Sequence, residues 1–335
     1  ELEKYWSGMK INFIVACGSH RKPTEKELDR IFGPLREKYR DQIHIHDALN
    51  SPVTYLGTTR RGTPVEVNRL AVISDRIIAI NSVEPHYFAG FTGGRKSILP
   101  GISSYRTIET NHKMALDKKA GILVLDDNPV HEDMSEAAAL IKSRIFAVNV
   151  VMTADSGIHS LHTGNIFDSF LEATAVAGRT CTGTVPRAAE IVISVVREPV
   201  NKNLYQAQKG IENSRAVLKE GGIMILVAEC EEGIGMPEFY DLLSSCSSPE
   251  KVFERIEKGY VLGYHKAAKM ADFISKNRLW MVTSLSRSIL EKIFITKARE
   301  NLQEVLDKAL AEVGRNAGVI LNLNAGMTTA SLDKA

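Results

Sequence analysis

Between Glu84 and Gly101 the chain reads Glu84-Pro85-His86-Tyr87-Phe88-Ala89-Gly90-Phe91-Thr92-Gly93-Gly94-Arg95-Lys96-Ser97-Ile98-Leu99-Pro100-Gly101, and His112 follows in Asn111-His112-Lys113. An imidazole, a glycine-rich loop, a primary amine and a second imidazole thus fall in one short span. Glycine gives up side-chain packing, and a buried ammonium is costly unless it is paired or chemically used, so an ordinary core segment does not spend residues this way. An imidazole with an ordinary pKa of about 6.5 can take or give a proton near neutrality or hold a metal. A lysine on a flexible loop can form a covalent bond to a carbonyl or acyl group.

Two further sets extend the constellation. His20, in Cys17-Gly18-Ser19-His20-Arg21, follows the apolar run from Ile11 to Cys17, which predicts a strand with the histidine at its carboxyl end. In open α/β sheets ligands bind at that edge. Gln206 and Lys209 lie in Leu204-Tyr205-Gln206-Ala207-Gln208-Lys209, three residues apart at the predicted start of a helix over 205–218, where helix polarity favours an anion. The run from Gly90 to Ser97 misses the phosphate-loop pattern by one residue, because Arg95 stands where glycine should precede Lys96, and this disfavours hydrolysis of a nucleoside triphosphate. Gly93 and Gly94 can still present backbone N–H groups to another phosphate.

Taken together, these segments closely resemble the nickel-pincer lactate racemase family. The resemblance rests on the strand-end His20, on His86 and Lys96 in the long run above, on His112, on the segment from Leu204 to Lys209, and on spacings of 66, 10 and 16 residues between the four N-terminal positions. It covers nearly the whole chain. It implies a pyridine mononucleotide with sulfur substituents, joined to Lys96 as a thioamide and gripping nickel(II), with Gly93, Gly94 and Arg95 beside it and His112 completing a square of ligands of the kind Ni(II) favours. It also implies that His20 and His86 are acid–base partners for opposite hands of a 2-hydroxy acid, and that Gln206 and Lys209 contact the substrate. The α-hydrogen would leave as hydride to the pincer and return to either face of a planar 2-oxo acid. Other proteins must build and supply that cofactor. In the family a further N-terminal segment carries an Asp and an Arg that hold the substrate carboxylate; nothing here matches it, and a chain opening on Glu1 leads us to expect a missing upstream part. The rival readings are a Schiff-base lysine enzyme built on Lys96 and a non-catalytic cofactor-binding relative.

The elements that must position these residues are legible as alternating strand and helix patterns. Runs at 76–80, 122–125 and 146–152, with helices at 133–143 and 167–178, predict one α/β domain over 1–182. Runs at 191–196, 223–228, 279–283 and 319–323, with helices at 205–218, 267–275 and 302–313, predict a second over 183–335. The fold class is α/β, two domains with mainly parallel sheets and a site in the cleft between them. Gly221-Gly222 reads as the turn ending a helix.

Composition narrows the function classes. Lys plus Arg number 42 against 40 Asp plus Glu, a net charge of +2 that offers nucleic acid or an anionic membrane no reason to bind. No apolar run reaches the ~18 residues of a membrane span, no signal-peptide pattern opens the chain, and the four cysteines show no CxxC spacing, which together predict a reducing cytoplasm. His44 and His46 alternate on one strand face without a third ligand, and His159 and His162 lie in a turn-rich stretch, so neither pair is read as a metal site. The acidic stretch from Glu229 to Gly233 follows a strand and could border the cleft.

Overall fold

The computed structural model describes residues 8–153, 157–299 and 301–333. Strand β1 (Phe13–Val15) runs parallel to β2 (Ile43–Ile45), and helix α1 (Glu25–Phe32) lies between them in sequence. Thr24 and Glu27 close a reciprocal capping box at the start of α1, which satisfies backbone donors that would otherwise be orphaned. β3 (Val53–Thr58) and β4 (Pro64–Asn68) form an antiparallel pair. β5 (Arg76–Ser82) leads into the short antiparallel pair β6 (Pro85–His86) and β7 (Gly90–Phe91). Helix α2 (Tyr105–Lys113) is capped by Ser104, and α3 (Pro129–Ala139) by Asn128 with Pro129 in its first turn. β8 (Arg144–Met152) pairs parallel with β5 and antiparallel with β9 (Ile158–Asn165), which carries His159 and His162, and α4 (Asp168–Thr180) follows. The N-terminal half thus combines parallel and antiparallel pairs.

In the C-terminal half β10 (Thr182–Val185) first pairs with the last strand of the chain, and β11 (Ala189–Val195) then opens a parallel sheet. Two short helices follow, α5 (Leu204–Ala207) and α6 (Lys209–Ser214), then β12 (Leu218–Val227), α7 (Pro237–Ser244), α8 (Pro249–Glu257), α9 (Tyr264–Lys276) and β13 (Arg278–Val282). β14 (Lys297–Arg299), α10 (Leu302–Val313), β15 (Val319–Asn322) and β16 (Thr329–Leu332) complete it. The sheet order is β14-β13-β12-β11-β15, with every neighbour parallel. Both of its faces are covered, which is why β11 and β12 are near-continuous apolar runs.

Three local expectations are corrected. The apolar run at 122–125 is a turn held by one bridge between Gly90 and Ile122, because it has no neighbouring strand edge long enough to pair with. Gly221 and Gly222 lie inside β12, where the pairing with β11 shifts register and Gly221 takes φ +73°, so the pair serves a bulge and not a helix end. The single helix expected over 205–218 is broken at Gln208 into α5 and α6, with a 3₁₀ turn at Arg215–Val217.

Each half has its own apolar core. Leu204, Tyr205, Ile211, Met224, Phe239 and Phe273 belong to the C-terminal core, whereas Tyr87, Phe88, Leu99, Ile108 and Met134 belong to the N-terminal one. Leu262, just before α9, is buried in the N-terminal core, and Met236 packs against both. Glu109 on α2 accepts the Leu262 N–H at 3.0 Å, and Lys269 on α9 donates to the Ala120 carbonyl at 3.3 Å. Helix α9 is therefore docked on both halves.

Candidate active site

The loop that delivers Lys96 is held by packing that only glycine permits. Gly90, Gly93 and Gly94 all have positive φ, and a Cβ on Gly94 would stand 2.7 Å from Phe170 Cβ. The Gly94 N–H donates to Asn149 Oδ1 at 3.1 Å, so this amide is used inside the protein. Arg95, expected at the cofactor, is buried within the loop. Its guanidinium donates to the carbonyls of Ala89, Phe91 and Gly93 and lies 4.2 Å from the Phe170 ring centroid, so it acts as the strut of the loop. The following 3₁₀ turn (Gly94–Ser97) turns Lys96 the other way, with Nζ 5.8 Å from the centre of Phe88.

Around Phe88 the rings converge. His86 stacks on Tyr87 at 4.9 Å and meets Phe88 edge-on at 4.5 Å; His112, on α2, meets Phe88 at 5.1 Å and His265, on α9, at 5.6 Å. His86, His112 and His265 are all buried. Loss of water pushes their pKa values down, aided at His86 by the Lys96, Lys209 and His112 charges and at His112 by His265 and Lys96; His265 falls to about 3. All three are neutral imidazoles at pH 7. The Ala89 N–H donates to Nδ1 of His86 at 3.3 Å, which places the proton of the neutral ring on Nε2.

His20 comes from the carboxyl end of β1, as its place in the sequence predicts, and meets Gln206 of the other half with Nδ1 3.3 Å from Gln206 Nε2. Its ring keeps a solvent-facing side, yet it is crowded enough that desolvation, then Lys209, Lys266 and Lys96, depress its pKa. A half-turn of the Gln206 amide exchanges donor for acceptor, so this residue can hold either His20 tautomer. The Gln206 N–H is capped by Asn203 Oδ1 at 3.0 Å. Glu232 of the acidic stretch reaches Arg21 at 3.3 Å and lines, with His20, Tyr205 and Gln206, a cavity of about 820 Å³.

Cations dominate this site. Desolvation lowers the basicity of Lys96, Lys209 and Lys266; Arg95 and then Lys209 add to it at Lys96, Lys209 and then Lys96 add to it at Lys266, and the Glu84 carboxylate opposes it at Lys96 and Lys209. Among the described residues no carboxylate lies within salt-bridge distance of any of the three ammonium groups. A cleft with this charge and no internal counter-ion suits a ligand bearing several anionic groups. Lys266 and His265 were not singled out in the sequence; a His-Lys pair opening an apolar helix directly after Gly263 is the signal that could have found them.

A nickel-pincer nucleotide fits these residues. Among the described residues no three of His, Cys, Asp and Glu converge as a metal site, so a metal beside His112 would need further donors from a bound group. Lys96 is desolvated, and loss of water lowers its basicity. The other histidine pairs are spent elsewhere: His46 bonds Ser103 and Asn68 in the core, His44 faces Asn12, and His162 bonds Ser160. The four cysteines are free, and no helix among the described residues is long and apolar enough to cross a membrane.

Comparison with known proteins agrees with this geometry. Residues 2–122 match the lactate racemase N-terminal domain and residues 185–328 the lactate racemase C-terminal domain. Lactate racemase of Thermoanaerobacterium thermosaccharolyticum is 32% identical over 329 residues, covering 95% of this chain and 76% of the relative; that of Lactiplantibacillus plantarum is 30% identical over 324 residues, covering 92% and 74%. The structure of the lactate racemase apoprotein from T. thermosaccharolyticum superposes with a TM-score of 0.90 at 30% identity, over 98% of this chain and 80% of that one. A Thermotoga maritima protein shares the fold, with a TM-score of 0.79 at 18% identity over 96% and 85%. Matched over both of the family's parts and over most of its length, this chain belongs to the lactate racemase family and is an isomerase.

Proposed function

We propose that the protein racemises or epimerises a 2-hydroxy acid, lactate being the default substrate, with a nickel-pincer nucleotide tethered to Lys96. What supports this reading is that the charges of Lys96 and Lys209 reach both His20 and His86, that Lys96 and His20 reach His112, and that Gln206 stands 3.3 Å from His20 across the two halves, which we divide at residues 182 and 183. Lys96 and His112 would hold the group, and its loading depends on the proteins that make it. When bound, it supplies an acceptor for the α-hydrogen with its electron pair.

The chain's own residues do the rest. Lys209 offers the substrate carboxylate a cation in a desolvated place, where charge-assisted bonds are strong, and Gln206, on the cavity side, offers an amide. One histidine, neutral, takes the hydroxyl proton of the starting enantiomer and becomes an imidazolium; the other enters the turnover as an imidazolium, a form the bound substrate carboxylate favours, and gives its proton to the product oxygen, so the two exchange protonation states and roles when the direction reverses. The Tyr87–Phe88 pair excludes water from the reacting carbon. The planar 2-oxo acid is thereby kept from leaving before its second face is used.

The test is mass mapping of protein produced with the cofactor-building proteins, combined with chiral analysis of lactate. An adduct on Lys96 and conversion of either pure enantiomer to the mixture support the reading. Active protein with unmodified Lys96 refutes the tether, and borohydride trapping of substrate on Lys96 would establish a Schiff-base enzyme instead.

A further inference from the structure

We propose that Lys266 is a positioning residue for the substrate-binding turn, and that its ammonium, gripping the Tyr205 carbonyl from α9, sets where Gln206 and Lys209 stand. The proposal rests on the reading of those two residues as the carboxylate contacts, and adds to it the residue that holds them.

The argument begins at the break between α5 and α6. A continuous helix would point Gln206 and Lys209 along neighbouring faces of one turn. Here the helical pattern is interrupted at Gln208, which itself keeps φ −54° and ψ −22°, and α5 is a single turn that needs outside partners to hold its place. Gln208 does not hold the break: it is fully buried, and neither of its amide atoms finds a partner. The near side of the turn is fixed by Asn203, which caps the Gln206 N–H, and by the Ile234 carbonyl, which accepts the Tyr205 N–H at 2.9 Å. The far side is the Tyr205 carbonyl, and Lys266 donates to it.

Lys266 is held firmly enough to serve as the fixed point. It is 4% exposed, its Nζ lies 3.8 Å from the centre of the Tyr205 ring and 5.6 Å from that of Tyr87, and its helix is anchored to the N-terminal half through Leu262 and Lys269. One side chain therefore ties the substrate turn of the C-terminal half to the Tyr87–Phe88 wall beside His86. A lysine without a carboxylate partner in so dry a place is costly unless that tie is used.

Hydrogen exchange on the apoprotein and steady-state kinetics on the loaded enzyme test this together. In Lys266→Met, amides of residues 204–211 should exchange at least about tenfold faster while those of α4 do not change. KM for the hydroxy acid should rise about tenfold or more with kcat altered much less, since a misplaced turn weakens ground-state and transition-state binding alike. Lys266→Arg, which keeps a cationic donor, should recover part of both effects. Should the Met variant not fold, Lys266→Gln replaces it. Unchanged exchange at 204–211, or protection lost equally throughout the chain, would overturn the proposal. If loaded wild-type protein turned over no 2-hydroxy acid, the functional reading would fail while the exchange result still decided the role of Lys266.

Discussion

Gln206 Nε2 stands 3.3 Å from His20 Nδ1, although 186 residues separate them in the chain. This contact joins the end of β1 to the broken helix of the other half. On the His86 side Tyr87 and Phe88 wall the ring in, whereas His20 lines the cavity of about 820 Å³.

The first prediction concerns this pair. On the proposed two-base mechanism each histidine would be needed in both directions of net racemisation, so His20→Ala and His86→Ala should each lower both rates by about 10²–10⁴-fold. Single turnovers should separate them. With His20→Ala one pure enantiomer should still yield the 2-oxo acid and the other should not, and His86→Ala should reverse the preference. Rapid quenching and assay of the 2-oxo acid would show it; equal impairment in all four cases would defeat the two-base assignment.

Nickel retention is the second. His112→Ala removes an imidazole donor and its contacts with Phe88 and His265. His112→Phe keeps most of the volume. Both variants should lose nickel or bind it far more weakly than the wild type, as read by metal analysis of the loaded protein. Wild-type nickel content in either would place the protein's ligand elsewhere.

The third tests the Lys96 loop. A methyl group at Gly94 would collide with the Phe170 ring and would sit at φ +50°, a conformation that side chains disfavour. Gly94→Ala should cost about 1–3 kcal/mol in urea unfolding and displace Lys96, lowering the fraction of protein that carries an adduct. A variant as stable as the wild type would show that the packing there yields.

The fourth is the pH dependence of apoprotein stability. In the unfolded chain His86 takes up a proton below about pH 6.5, and Lys266 holds its own up to about pH 10.4. In the fold both are pushed well below those values, by loss of water first and then by neighbouring cations. The unfolded state binds more protons below each unfolded pKa, so stability falls as pH drops, by about 1.4 kcal/mol per pH unit for each group protonated only when unfolded. Tm measured between about pH 6 and pH 9 should therefore climb with pH, less steeply in Lys266→Met. A Tm that fell as pH rose would contradict the assigned environments.

Much of the molecule was legible from local pattern. Apolar, β-branched runs marked β5, β8, β11, β12, β13 and β15; β11, β12 and β13 are buried on both faces, whereas β5, β8 and β15 carry the same apolar pattern with Ile78, Ile80, Phe146, Val319 and Leu321 exposed. The Thr24–Glu27 capping box announced α1, and the place of His20 after β1 followed from strand-end logic. The interruption at Gln208 was illegible because, Gly210 apart, the residues from Tyr205 to Leu218 are ordinary helix formers, and the partners of the Tyr205 peptide groups, Ile234 and Lys266, are remote in sequence.

By itself the sequence determined the chemistry available: His86, Lys96 and His112 at fixed intervals, with glycines where the loop had to pass close to Phe170 and Val124. Only the tertiary structure decided what each residue faces. Arg95, adjacent to Lys96, turns to Phe170 and the loop carbonyls, because a 3₁₀ turn sends successive side chains in different directions. His265 and Lys266 join the site from more than 150 residues away. Spacing along a chain encodes periodicity and reach, whereas the meeting of His20 with Gln206, or of Lys266 with Tyr205 and Tyr87, is set by how two apolar cores pack across a shared helix.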